Sequence, residues 1–227
     1  LTLKEATRLI QIRGSIRNQI GRDGAMAAVG LNAEQFLDML PEGLPVEVAA
    51  QNTGSLVTVT GEVHEIDALE AFIKAERPEL FYRRLATDTA WHSRMLEPTE
   101  KWFRDQVGEI EWQTPRIPFV SSVTGRLNSR FDLDYWWPNL RSPVSYKPAI
   151  DMAIAGGTDV FLELAPSRAL SGMTATVISE NESSAITVNS LYKGEDDFTS
   201  LSVAASQLYC AGAVIDSGKG SATLGNP

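Results

Sequence analysis

The chain has 227 residues, 43% of them hydrophobic and 22% charged, which is the composition of an ordinary globular protein. Its 29 acidic residues outnumber the 20 basic ones, and the resulting net charge of −9 argues against a nucleic-acid surface, because phosphate binding needs clustered Lys and Arg. No apolar run approaches the roughly 20 residues that cross a bilayer, so no membrane is expected among its partners. A single cysteine, Cys210, and the lack of a secretory signal favour a cytoplasmic location, with Cys210 as a buried small hydrophobe.

The first part of the chain predicts one helix followed by a compact mixed pattern. Apolar residues recur at helical spacing from Leu3 to about Ile20, and glycines then break this helix. From residue 24 to 86 the pattern predicts strand, helix, strand, strand, helix, strand. The predicted strands cover 25–29, 46–50, 56–60 and 81–85, with helices at 32–40 and 62–76. This order is that of a ferredoxin-like βαββαβ subdomain.

The rest of the chain alternates helices and strands. Helices are predicted at 95–107, 148–155, 167–178 and 196–211, and strands at 117–123, 159–164 and 185–188. Such alternation indicates a parallel, three-layer α/β body. We therefore expect a body made of residues 1–23 and 87–216, an inserted subdomain at 24–86, and a Gly- and Ser-rich linker tail at 217–227.

Two histidines are present, and they stand in different surroundings. His64 lies between glutamates in the first turn of a predicted helix, which is typical of an exposed side chain. His92 lies in a short polar break after a predicted strand, where an imidazole can accept a proton from a hydroxyl nucleophile. A purely structural histidine is the alternative at this point. Two histidines and one cysteine far apart show no metal-ligand spacing, so no metal is expected.

Arg13 lies on the first predicted helix, close to Leu9 and Ile10 and therefore on or beside its apolar stripe. An unpaired buried charge is costly, so an arginine in this place calls for an anionic partner. Its guanidinium can hold a carboxylate by two parallel hydrogen bonds. A solvent-facing arginine is the alternative.

Several short segments occur in a fixed order along the chain. They are 6–14 (ATRLIQIRG), 24–29 (GAMAAV), 48–52 (VAAQN), 90–93 (AWHS), 118–125 (PFVSSVTG), 135–144 (YWWPNLRSPV), 161–166 (FLELAP), 190–191 (SL) and 194–197 (GEDD). In this order they resemble the acyltransferase domain of type I polyketide synthases, and more distantly malonyl-CoA:acyl-carrier-protein transacylases. The resemblance runs from Leu1 to about Asp216 and implies an α/β-hydrolase-like three-layer body with an inserted ferredoxin-like subdomain.

The resemblance assigns roles to the two candidate residues. His92 matches the histidine of the family's Ser–His dyad, and Arg13 matches the arginine that grips the free carboxylate of malonyl-type extender units. The implied reaction carries an acyl group from a coenzyme A thioester, through an acyl-serine, to the phosphopantetheine thiol of an acyl carrier protein. No permanently bound cofactor is implied. The implied partners are malonyl-CoA or a related acyl-CoA, the acyl carrier protein and neighbouring synthase domains including the ketosynthase.

Three further details follow from the resemblance. A backbone carbonyl commonly orients the family's histidine, and we expect the turn at 164–166 to contain that carbonyl. Trp91 precedes the histidine, where malonyl types tend to have Phe and methylmalonyl types Ser, so its bulk favours malonyl. Thr89 replaces the histidine of the usual malonyl motif and leaves that choice open. One methyl group changes binding by only a few kcal/mol, so mixed specificity fits as well.

The family's Gly-His-Ser-X-Gly segment lies upstream of the helix that carries Arg13, and no Gly-X-Ser-X-Gly occurs in this chain. The resemblance therefore covers about the C-terminal two-thirds of the domain, which we expect to lack the catalytic serine and to be inactive alone. A stand-alone malonyl transacylase of fatty-acid synthesis is one alternative. A non-catalytic docking or scaffold remnant of a synthase is another, although the presence of both His92 and Arg13 weighs against decay.

Overall fold

The computed structural model describes residues 1–214. The chain forms two compact units, one of Leu1–Met152 and one that begins at Ala153. The predicted linker tail at 217–227 lies outside the described residues. Of the helices within residues 1–214, none has the length and apolar character needed to span a bilayer.

Helix α1 covers Leu3–Ser15 and tightens into a 3-10 turn at Ile16–Asn18, so it ends earlier than predicted. Its start is fixed by a capping box, in which the Thr2 hydroxyl accepts the Glu5 N–H and the Glu5 carboxylate accepts the Thr2 N–H. The helix buries Leu9 and carries Arg13 in its last turn, where a positive charge suits the helix dipole.

A four-stranded sheet follows, with its elements in the predicted order. These are β1 (Gly24–Val29), α2 (Ala33–Met39), β2 (Glu47–Thr53), β3 (Leu56–Glu62), α3 (Val63–Glu76) and β4 (Tyr82–Arg84). The strand order is β2-β3-β1-β4, and every neighbouring pair is antiparallel. All six residues of β1 are buried, as expected of a central strand. The core of the sheet contains Phe36, Val57, Val59, Ile66 and Leu69.

A second cluster of the first unit is built by helices. A 3-10 turn at Arg94–Thr99 leads into α4 (Glu100–Val107), and α5 covers Leu133–Arg141. Helix α4 contacts both α1 and α5, and Arg13 of α1 donates to the Asn139 carbonyl of α5. Their shared core contains Leu9, Leu96, Phe103, Trp137 and Leu140.

The strand predicted at 117–123 is wrong. This segment forms a single bridge between Val120 and Leu127, and the Ile117 side chain is exposed. The Gly125 N–H donates to the Ser121 carbonyl, which turns the chain back on itself. Gly125 has a positive φ of 67° and approaches Pro148 so closely that a Cβ atom would clash. The apolar run therefore precedes a tight turn instead of entering a sheet.

Helix α6 occupies Tyr146–Ala155. In the second unit, β5 (Val160–Glu163), α7 (Ser171–Glu180), β6 (Ile186–Asn189) and α8 (Asp197–Cys210) follow in turn. Strands β5 and β6 are paired in parallel, as the alternating pattern predicts. The Cys210 side chain is exposed, so its predicted burial is wrong. The fold class is α/β.

Candidate active site

His92 lies in a tight loop that follows the sheet. Its φ is 57°, a left-handed conformation that is uncommon for residues with a Cβ and that is enriched at functional sites. The next residue, Ser93, is fully buried and donates its hydroxyl to the Ala90 carbonyl at 2.7 Å. The same hydroxyl oxygen accepts the Met95 N–H at 3.2 Å. These bonds define the turn and thereby fix the backbone of His92.

The imidazole of His92 is held by a backbone carbonyl. Its Nδ1 lies 2.9 Å from the carbonyl oxygen of Ser142. A carbonyl can only accept a hydrogen bond, so Nδ1 carries the proton and Nε2 keeps a free lone pair. Ser142 directly follows α5 and donates its own N–H to Pro138, which leaves its carbonyl outside the helical ladder. The prediction that the turn at 164–166 supplies this carbonyl is wrong.

A cavity of about 310 Å³ brings together three of the four predicted site residues. Arg13, Trp91 and His92 line it, together with Ile10, Gly14 and Leu140. None of these lining residues carries a hydroxyl or a thiol. The volume is within the range of small-molecule sites, at its lower end.

Thr89 does not line this cavity. It is buried beside a neighbouring cavity of about 400 Å³, and its hydroxyl donates to Asp88 at 3.2 Å. Trp91 lines both cavities and so forms a wall between them. The backbone N–H of Trp91 donates to the Thr89 carbonyl, which ties the two residues together.

The guanidinium of Arg13 has unused hydrogen-bonding capacity. Its Nη2 makes one long bond of 3.5 Å to the Asn139 carbonyl, and its Nε is buried with no hydrogen-bond partner among residues 1–214. Burial lowers the pKa of Arg13, yet an arginine stays protonated in a protein. A buried donor without a partner is rare, and a carboxylate in the cavity would supply one.

The imidazole is electrostatically suited to act as a base. Burial lowers the pKa of His92, the bond to Ser142 opposes that shift, and the charge of Arg13 lowers the pKa further. His92 is therefore neutral at neutral pH. His64 is not part of the site, since its side chain is 75% exposed. In the part of the chain that the structure describes, no cluster of three metal-ligating side chains occurs.

Comparison with known proteins identifies the family. The profile described as acyl transferase domain matches residues 1–213. The chain belongs to the acyl transferase domain family. Highly reducing polyketide synthase FUM1 of Gibberella moniliformis is 32% identical over 222 residues, and mycoketide-CoA synthase of Mycobacterium tuberculosis is 31% identical over 222 residues. The matches cover 93% and 95% of this chain but 8% and 5% of those proteins.

Solved acyltransferase domains share the fold. The domain from the second module of the salinomycin polyketide synthase matches with a TM-score of 0.86 and 27% identity, over 100% of this chain and 54% of that one. The acyl transferase domain of SpnD, solved in complex with 2-(pent-4-yn-1-yl)malonyl, matches with a TM-score of 0.83 and 26% identity, over 93% and 52%. The predicted resemblance to polyketide synthase acyltransferase domains is thus confirmed.

Sequence reasoning missed Ser142, Ile10 and Leu140. Ser142 lies 50 residues from His92, and no local pattern marks a carbonyl as a histidine partner. The available signal was the segment 135–144, which carried part of the resemblance and contains both Leu140 and Ser142.

Proposed function

We propose that this acyltransferase segment helps to move a malonyl-type extender unit from coenzyme A to the phosphopantetheine thiol of an acyl carrier protein, in polyketide biosynthesis. The observation that carries the proposal is the shared cavity, in which a neutral imidazole and a guanidinium with unused donors both line one small space. Malonyl-CoA, the carrier protein and neighbouring synthase domains such as the ketosynthase would be the partners. The coenzyme A thioester enters as substrate, and no resident cofactor is part of the proposal.

His92 would move the protons of both half-reactions. A serine oxygen bonds to the acyl carbon while its proton passes to Nε2, and the carbon–sulfur bond breaks. The imidazolium then protonates the coenzyme A thiolate. In the second half, Nε2 accepts the proton of the carrier thiol and the sulfur bonds to the acyl carbon. The bond between that carbon and the serine oxygen breaks, and the imidazolium returns its proton to the serine oxygen. The bond from Nδ1 to Ser142 supports this role because it keeps the lone pair on Nε2.

The serine would come from a segment outside residues 1–227. The chain contains no Gly-X-Ser-X-Gly motif, and none of the described cavity residues offers a hydroxyl. Residues 1–227 by themselves should therefore be inactive, because a histidine without its nucleophile and oxyanion donors retains little rate.

Arg13 would bind the free carboxylate of the malonyl group. Trp91, as the wall between two cavities, would limit the space for a branch on the α-carbon and so favour malonyl. Thr89 would act on the substrate indirectly, by holding the Trp91 backbone. The SpnD domain, solved in complex with 2-(pent-4-yn-1-yl)malonyl, supports a substrate that carries the malonyl carboxylate, and its ligand is branched at the α-carbon.

The proposal includes the domain organisation. Residues 24–86 would form the ferredoxin-like subdomain, and residues 1–23 with 87–216 would belong to the α/β-hydrolase-like, three-layer body. The antiparallel order β2-β3-β1-β4 with two helices supports the first part, and the parallel β5–β6 pair supports the second.

The test uses a polypeptide that contains residues 1–227 together with the nucleophilic serine. Arg13→Ala should reduce malonyl loading about 10- to 100-fold, since a charge-assisted bond contributes about 1.5–3 kcal/mol, and should reduce acetyl loading far less. Loading is measured by intact-protein mass spectrometry after incubation with malonyl-CoA or acetyl-CoA. Arg8→Ala is the matched control, because Arg8 lies on the same helix but bonds to the Gln106 carbonyl away from the cavity.

Equal losses of malonyl and acetyl loading in Arg13→Ala would refute the carboxylate contact. A complete domain that loads neither group would instead support a scaffold role.

A further inference from the structure

The carboxylate of Glu47 connects the two segments that hold the catalytic imidazole. Its Oε2 accepts the backbone N–H of Arg94 at 2.7 Å, and its Oε1 accepts Nη2 of Arg141 at 2.9 Å. Arg94 lies two residues after His92, and Arg141 directly precedes Ser142, whose carbonyl holds the ring. The Glu47 side chain therefore links the His92 loop to the end of α5.

Strand β2, which begins at Glu47, also binds the segment that follows Ser142 in the chain. The Val144 N–H donates to the Ala49 carbonyl at 2.8 Å, and the Gln51 N–H donates to the Val144 carbonyl at 2.9 Å. Strand β2 is at the edge of its sheet, so its outer backbone groups are available for these bonds. Ser142 is thus flanked by two attachments to the same strand, one through the Glu47 side chain and one through the backbone.

We propose that Glu47 is a positioning residue, whose carboxylate keeps the Ser142 carbonyl bonded to Nδ1 of His92 and so keeps the lone pair on Nε2. The catalytic consequence rests on the proposed function of His92. The role of Glu47 in holding the Ser142 carbonyl against Nδ1 does not. The Glu47 side chain is 28% exposed and Arg141 is 23% exposed, so water screens this contact less than a surface pair.

Glu97 provides the matched control. Its carboxylate also accepts bonds from Arg141, at 2.8 and 3.0 Å. It is 59% exposed, and its bonds with arginine side chains are to Arg141 rather than Arg94. Glu97→Gln removes a carboxylate charge beside Arg141 but leaves the bond from Glu47 of β2 to the His92 loop. Glu47→Gln keeps the size of the side chain, and because an amide nitrogen cannot accept, it loses one of the two connecting bonds.

The tautomer of His92 can be read directly in the full 227-residue chain labelled with ¹⁵N at histidine. The chain has two histidines, and His64→Gln assigns the signals. Above the pKa of His92, the wild-type ring should show a protonated Nδ1 and an unprotonated Nε2. Glu47→Gln should show exchange between both tautomers. Glu97→Gln should match the wild type, and a cooperative urea unfolding transition would show that each variant is folded.

If Glu47→Gln fails to fold, Arg141→Gln tests the same connection from its other end and should give the same mixture of tautomers. A ring that keeps the wild-type tautomer in whichever of these variants folds would overturn the proposal. A merely structural role would lower stability without moving the tautomer.

A second measurement separates this inference from the proposed function. In the serine-containing polypeptide, Glu47→Gln should lower kcat for acyl transfer about tenfold or more and leave KM for the acyl-CoA nearly unchanged, because Glu47 acts through the ring. A tautomer change in a protein whose wild type loads no acyl group would leave the positioning intact and refute the function. A tautomer change without a fall in kcat would overturn the catalytic part of the inference.

Discussion

His92 combines an uncommon backbone conformation with a half-buried imidazole. Histidine is one of the few residues with a side chain that is enriched in the left-handed region, so its φ of 57° is tolerated at a modest cost. The ring makes a hydrogen bond through Nδ1, and burial together with the charge of Arg13 favours its neutral form. These features place a proton acceptor, rather than a fixed positive charge, in the cavity.

The lowered pKa of His92 predicts a pH dependence of stability. The folded state binds this proton less readily than the unfolded chain, whose histidine has a pKa of about 6.5. Stability rises with pH wherever the unfolded state binds more protons, so the contribution is present above pH 6.5. It is lost as the pH falls from there through the lower pKa of the folded state. We expect His92→Gln to show a smaller loss of unfolding free energy between pH 7.5 and pH 5 than the wild type.

Urea unfolding at the two pH values measures this difference. His64→Gln is the control, since the side chain of His64 is exposed and lies outside the cavity. Identical pH dependence in His92→Gln and the wild type would contradict the depressed pKa.

At the scale of elements, β1 packs closely against the loop that carries His92 because Gly24 has no side chain. Gly24 begins β1, and a Cβ atom there would lie 2.1 Å from the backbone nitrogen of Ala90. Such a contact is far below van der Waals distance, so any side chain must push the 89–90 backbone away. This backbone leads directly into Trp91 and His92, which means that the packing of a strand sets the position of the loop.

Gly24→Ala should therefore destabilise the protein by about 1–3 kcal/mol or more, because the added Cβ would meet the backbone of residues 89–90, which cannot rotate aside. Gly172→Ala is the matched control. Gly172 lies in α7, and apart from its two chain neighbours and its own helix backbone no atom of residues 1–214 lies within 4 Å of the position that a methyl group would take. Alanine favours a helix over glycine by up to about 1 kcal/mol. Thermal unfolding of the two variants should shift in opposite directions, and a Gly24→Ala variant as stable as the wild type would disprove the close fit.

Elements with a strong local signal could be predicted from sequence. The first six elements after α1 occur in the predicted order because alternating apolar residues and turn signals at Asn52–Gly54 are local. The predicted strand at 117–123 failed because hydrophobicity does not distinguish a buried strand from an apolar run that enters a turn. Arg13 and His92 could be selected through the resemblance, whereas Ser142 and Glu47 depend on contacts between distant segments.

At the scale of the molecule, the first unit has two separate cores. One lies beneath the four-stranded sheet and includes Phe36, and the other lies among α1, α4 and α5 and includes Phe103. The two sets share no buried residue. Only the second includes cavity residues, since Leu140 is one of its members and Trp91 packs against it. The cavity is therefore attached to the helical core, while the sheet supports the site through its edge strand.

This division predicts different consequences for two similar core substitutions. Phe36→Leu and Phe103→Leu each remove part of a fully buried ring and should each cost roughly 1–3 kcal/mol in unfolding free energy. Because the two side chains share no cluster, the costs should add to within about 0.5 kcal/mol in the double variant.

Phe103 also packs against Trp137, with ring centroids 6.1 Å apart, so its replacement loosens the helix that ends beside Ser142. At equal loss of stability, we expect the ¹⁵N ring signals of His92 to change in Phe103→Leu and to stay unchanged in Phe36→Leu. The reverse pattern would show that the sheet core, rather than the helical core, determines the geometry of the site.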